Sequence, residues 1–108
     1  GRNRRGTLVT GEIDLIAYDG DTLCFIEVKT RSSADFAAPL AAVDLRKQRQ
    51  IIRAARQYRK IFHLHGAAVR YDVAGIVLPN GAENAAEIEL FRGFFNERKF
   101  AAKNWFEA

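Results

Sequence analysis

The 108-residue sequence has no methionine, even at its first position, and only one cysteine, two prolines and two histidines. A lone thiol, Cys24, cannot close an internal disulfide, which fits a reducing cytoplasm. His63 and His65 have no cysteine or third histidine to complete a zinc site, so they read as the solvated end of a helix. No apolar run approaches the roughly 20 residues of a membrane-spanning helix, and no signal-peptide pattern is visible. The expected setting is therefore the cytoplasm, with no membrane partner. Acid is missing from one window in particular: between Leu45 and Lys60 there are seven cations and no Asp or Glu. Subtracting those seven from the net charge of +4 leaves about −3 for the rest, so the basicity is local, as expected of a face that meets a polyanion. The absent initiator leads us to expect that the natural chain begins upstream of Gly1.

What is present is an ordinary globular balance, 48% apolar and 28% charged, enough for one domain with a single sheet-and-helix core. The stretch Gly11 to Arg31 predicts a hairpin. Glu12 to Tyr18 and Thr22 to Thr30 are rich in Ile, Leu, Val and Phe, and between them Gly20 is free to take the positive φ of a primed turn. With a two-residue loop at Gly20-Asp21, paired residue numbers sum to forty-one, setting Asp14 across from Glu27 and Glu12 across from Lys29. Side chains alternate along a strand, so all four emerge on one side. Directly opposed Cβ atoms lie about 4.5–5.5 Å apart, and like charges there are destabilising. A hard divalent cation would offset the repulsion, since Mg²⁺ takes a few carboxylate oxygens and keeps water elsewhere. An Asp on one strand and Glu-x-Lys on the next suits phosphodiester hydrolysis, with the lysine stabilising charge or positioning the nucleophile. The plainer reading is a solvated sheet face where a lysine screens two acids. Against it, Asp14 and Glu27 interrupt apolar runs, where unpaired charge is costly.

Downstream, Ser32 to Asp35 reads as a polar loop and Phe36 to Val43 as an irregular segment around Pro39. Asp44 is a candidate N-cap for a helix from Leu45 to about Phe62. Ile51, Ile52, Ala55, Tyr58 and Phe62 form its apolar stripe, while Arg46, Arg49, Arg53, Arg56 and Lys60 form a row on another face. Like charges at i,i+4 cost helix stability, so a phosphate partner explains the row better than folding does. Val69 to Leu78 predicts a third strand, parallel to the Glu27 strand through a right-handed crossover, with Asp72 pairing Arg70. Pro79-Asn80-Gly81 marks a turn and Glu87 to Phe91 an antiparallel edge strand. Phe100 and Trp105 or Phe106 suggest a terminal helix, covered by the domain or by a second subunit in a homodimer.

GEIDLIA followed by FIEVKTR resembles the YraN-like family of uncharacterised bacterial proteins, which belongs with the PD-(D/E)XK nuclease superfamily and is similar to archaeal Holliday-junction resolvases. Pro39 to Val43, Arg46-Lys47-Gln48-Arg49, Ala54-Ala55 and Arg70-Tyr71-Asp72-Val73 extend the likeness over most of Arg2 to Phe95. The resemblance implies an α/β, restriction-endonuclease-like mixed sheet of about four strands flanked by helices. It further implies Asp14 and Glu27 as ligands of Mg²⁺ or Mn²⁺ and Lys29 as the catalytic lysine. The family opens with a helix carrying a Glu, then a strand ending in Arg-Asn-x-Arg; this chain starts inside that strand, so the helix and its acid are expected upstream. Arg31, Arg46, Lys47, Arg49, Arg53, Arg56 and Lys60 are the expected nucleic-acid contacts, to DNA with RNA left open. Two functions fit: an endonuclease, or a non-catalytic nucleic-acid-binding domain that keeps the fold.

Overall fold

A computed structural model describes residues 13–31, 42–78 and 87–101. The elements are β1 (Leu15–Asp19), β2 (Thr22–Arg31), α1 (Leu45–Ile61), β3 (Ala68–Val77), β4 (Glu87–Phe95) and a short α2 (Arg98–Ala101). The strands make one mixed sheet in the order β1-β2-β3-β4. β1 and β4 run antiparallel to their neighbours, and β2 and β3 pair in parallel over ten residues. Such a parallel pair needs a crossover, which the segment containing α1 supplies. The result is the expected α/β fold of one small domain, consistent with a restriction-endonuclease-like sheet.

The hairpin closes in the expected register, from Asp19 opposite Thr22 to Leu15 opposite Ile26. Gly20 has φ +62°, and Asp21 does not have positive φ, which is the φ pattern of a type II′ turn with glycine first. β2 therefore turns Leu23, Phe25, Glu27 and Lys29 to one face. Leu23 and Phe25 join Ile51, Ile52 and Ala55 of α1, with Tyr71, Val73, Val43, Phe95 and Phe100, in the core. Each large side chain buried there contributes about 1.5–3 kcal/mol.

On the opposite face an ionic clasp ties three strands together. Arg70 of β3 donates to both oxygens of buried Asp72 and, through Nη1, to Asp19 of β1 at 2.9 Å. Asp72 Oδ1 also accepts from the Gly93 backbone of β4 at 2.8 Å. Gly93 has φ +61° and lies where β4 carries extra residues, since Tyr71 pairs with Phe95 but Val73 with Phe91. The strand was expected to end near Phe91 but continues to Phe95, because at Gly93 it kinks and resumes through this bulge.

α1 begins as expected, with the Asp44 carboxylate accepting from the Lys47 backbone at 3.0 Å. It ends in a Schellman arrangement, Leu64 N–H donating to Arg59 at 2.7 Å and His63 N–H to Lys60 at 3.4 Å. His63 there has φ +58°, a conformation glycine usually fills. His63→Gly removes a left-handed penalty of about 1–2 kcal/mol and adds about 0.5–1 kcal/mol of unfolded-chain entropy. We expect it to raise stability by about 0.5–1 kcal/mol, read as a higher urea midpoint at unchanged slope. Gly20→Ala, which forces the reverse exchange, should lower the midpoint.

Candidate functional site

The alternation that sends Leu23 and Phe25 into the core delivers Glu27 to the first turn of α1. Its side chain is only 5% exposed. Lys29 Nζ lies 3.3 Å from Glu27 Oε2, and Lys47 Nζ of α1 lies 3.7 Å from the same oxygen. Both lysine side chains are about a quarter exposed. Glu27 Oε1 is buried and has no hydrogen-bond partner among the described residues. Asp14 lies one residue beyond the β1–β2 ladder, and its Oδ2 accepts from the Val28 backbone at 2.9 Å, which holds the carboxylate against β2.

Burial pushes the Glu27 carboxyl above the usual glutamate range, and the Asp14 carboxylate pushes the same way; Lys47 and Lys29 oppose them. A buried carboxylate oxygen without a donor is the kind of atom a cation satisfies. Asp14 and Glu27 would hold Mg²⁺ or Mn²⁺, hard ions that accept two protein oxygens and complete their shell with water and substrate. Among the described residues no group of three or more His, Cys, Asp or Glu converges. Glu12, expected opposite Lys29, lies outside the described residues, and of Arg31 only the backbone is described.

The cations of α1 divide by face. Helical spacing sets Arg46, Arg49, Arg53, Arg56 and Lys60 on the side away from the buried residues Gln48, Ile51, Ile52 and Ala55. Arg53, Arg56, Arg59, Lys60 and His65 line an open depression of about 810 Å³. With a rise of 1.5 Å per residue, Lys60 lies about 20 Å along the helix from Lys47. Among the expected nucleic-acid contacts, Lys47 turns inward to Glu27. A cation in the first turn opposes the helix dipole by about 0.3–1 kcal/mol, a cost that Arg46 and Lys47 share, so the sequence alone does not single out Lys47.

Glu97 is the residue that sequence reasoning missed. It accepts from Arg59 Nη2 and from the Tyr71 hydroxyl, each at 2.6 Å, and its other oxygen lies 3.9 Å from Arg56 Nη1. Part of the acid-free row is thus balanced by an acid from far along the chain. Burial, with the Glu97 carboxylate beside it, holds the Tyr71 phenol far above its ordinary range, so it stays a donor. Burial likewise raises the Cys24 thiol, which argues against a reactive cysteine.

The model of Uncharacterised protein family UPF0102 matches residues 1–76. A UPF0102 protein of Solibacter usitatus is 44% identical over 94 residues, 87% of this chain and 68% of the relative. One of Geotalea daltonii is 45% identical over 86 residues, 80% of this chain and 66% of that protein. One of Chlorobium phaeobacteroides is 53% identical over 66 residues, 61% of this chain and 52% of that protein. The chain spans between about half and two thirds of the length of these relatives.

The raised Glu27 pKa has a measurable consequence. A carboxyl that binds its proton more tightly folded than unfolded costs stability as pH rises from the ordinary glutamate value through the raised one. Glu27→Gln should therefore match the native chain at low pH and exceed it in urea melts near neutrality. Mn²⁺ should stabilise the native chain at neutral pH and leave Glu27→Gln unchanged, since only the carboxylate would bind it.

Proposed function

The chain belongs to the uncharacterised protein family UPF0102, a name that carries no activity, and we propose from the site itself that it is a metal-dependent endonuclease of the PD-(D/E)XK type. The observation that carries this reading is the buried Glu27 Oε1, which has no hydrogen-bond partner among the described residues, on a carboxylate whose other oxygen meets two lysines. The substrate is DNA, held in the cytoplasm by the cationic row of α1. In hydrolysis, water bonds to phosphorus, one ester P–O bond breaks, and the departing sugar oxygen gains a proton. Mg²⁺ or Mn²⁺ held by Asp14 and Glu27 would offset phosphate charge and make water a better nucleophile. Asp14 is oriented for this by the Val28 backbone N–H. Lys29, anchored by Glu27, faces the reacting phosphate and stabilises the charge that develops there. The outer row, Arg46, Arg49, Arg53, Arg56 and Lys60, meets the DNA backbone.

A second reading, a nucleic-acid-binding domain without catalysis, is favoured by the same two lysines, which already balance Glu27 without a metal. The two readings separate in a nuclease assay on linear and four-way DNA with Mg²⁺ or Mn²⁺. We expect cleavage by the native chain, none by Asp14→Ala or Glu27→Ala, and loss of cleavage with retained DNA binding in Lys29→Ala. An absence of hydrolysis on every substrate with either metal would give the binding module precedence. The row has its own test. Arg46→Glu with Arg49→Glu should weaken DNA binding and lower the salt slope by about 0.9 for each phosphate no longer neutralised. Unchanged binding with an unchanged slope would remove that part of the row from the interface.

A further inference from the structure

Lys47 sits where the helix dipole disfavours it, in a first turn that contains no acid. Two anchors hold that turn in place. The Asp44 carboxylate binds the Lys47 backbone at 3.0 Å, and the buried Gln48 side chain donates to the Val43 carbonyl at 2.9 Å. The Lys47 ammonium group is thereby aimed at the carboxylate rather than outward with Arg46 and Arg49. Lys29 and Lys47 both address Oε2 of Glu27, while Oε1 has no hydrogen-bond partner among the described residues. One lysine would suffice to screen the carboxylate, so the second calls for a different explanation.

Charge supplies one. Asp14 and Glu27 cancel Lys29 and Lys47, so a divalent cation would leave the site with two units of positive charge. A phosphodiester carries one unit of negative charge and gains a second as the attacking water gives up its proton. With Lys29 as the sole lysine the loaded site would fall one unit short.

We propose that Lys47 is a second lysine of the reaction centre, binding a non-bridging oxygen of the phosphate being cleaved, and not a member of the outward-facing cationic row. The proposal rests on the nuclease reading of Asp14, Glu27 and Lys29. In the absence of substrate Lys47 rests on Glu27; with DNA in place its partner is the phosphate. Because its charge matters most where charge develops, its removal acts on turnover more than on substrate affinity.

The test compares Lys47→Ala, Lys47→Arg and the outward control Arg49→Ala with the native chain, after far-UV circular dichroism confirms folding. Lys47→Ala should lower kcat by about 100-fold at nearly constant KM, the order expected when one electrostatic stabiliser of the transition state is removed. Lys47→Arg should recover part of that activity, and Arg49→Ala, a change in the binding row, should act on KM and the salt slope far more than on kcat. A second readout needs no turnover: Mn²⁺ titration without DNA should show Lys47→Ala binding the ion as tightly as the native chain or several-fold tighter, since a competing cation has gone. Weaker Mn²⁺ binding would instead mark Lys47 as a structural prop for Glu27 and overturn the proposal. So would a Lys47→Ala profile that copies Arg49→Ala. Failure of the nuclease reading is distinguishable, because it appears in the native chain as an absence of cleavage, and the proposal falls with it.

Discussion

The pairing of Asp19 with Thr22 across a two-residue loop decides which side chains of β2 meet α1. A slip by one residue would reverse every face of the strand. Phe25 and Leu23 would leave the core, and Cys24 and Ile26 would replace them under the helix. Glu27 would move with them, away from Lys47. The site is therefore a by-product of the same parity that builds the core. Gly20 secures that parity, because its positive φ lets the loop close in two residues. The parallel pairing of β2 with β3 then carries the register across the sheet, setting Val73 beside Glu27 and Gly75 beside Lys29.

Along one face of β2 the environment changes within a few residues, from Phe25 stacked on Tyr71 to Glu27 and then Lys29. The gradient follows from where α1 starts. Its apolar stripe covers Leu23 and Phe25, but its first turn offers Lys47 and the Gln48 amide instead of another Ile. Desolvation of Glu27 is thus only partly offset by two ammonium groups on a single oxygen. A fold selected for stability alone would place an apolar residue there, since replacing a buried ion pair with well-packed apolar groups is often neutral or favourable. The retained charge is the physical argument for a site. The Asp72 clasp on the other face is the contrast: that carboxylate is just as buried, yet Arg70 and the Gly93 N–H use both its oxygens, so nothing is left for a ligand.

How much was legible in the sequence follows from the range of each interaction. The hairpin register, the Asp44 cap, the parallel return of β3 and the Arg70–Asp72 pair could be read because each depends on neighbours or on one turn. The course of β4 past Gly93 could not, because its bulge is held by the Asp72 carboxylate from the adjacent strand. The inward turn of Lys47 was missed because charge alone counted it with the other helix cations, although helical spacing already leaves it out of their row. Glu97 was hidden by distance: it meets Arg59 across 38 positions of sequence. The register set Asp14 opposite Glu27 within the strand pair, but the ladder stops at Leu15, so Asp14 sits one residue beyond it and reaches β2 by its side chain, which accepts from the Val28 backbone.

These long-range acids change what a run of like charges means. Seven cations in an acid-free window look like one surface, but the fold sorts them by what each can reach. Lys47 goes to Glu27, and Arg59, nearly buried, goes to Glu97 with Arg56 at its rim. Arg46, Arg49, Arg53 and Lys60 stay on the far side of the helix from the core. A uniform row would attract a polyanion anywhere along its length. A row with its inner members neutralised keeps an outer stripe for the backbone and delivers a single lysine to the carboxylates, about 20 Å of helix away from the far end of that stripe. On the proposed nuclease reading, the same helix would grip an extended phosphate chain by one face while its first turn would meet a single phosphate with the other. Binding and reaction would then be separated by the geometry of one amphipathic helix, with chemistry on the buried side only where the apolar stripe stops.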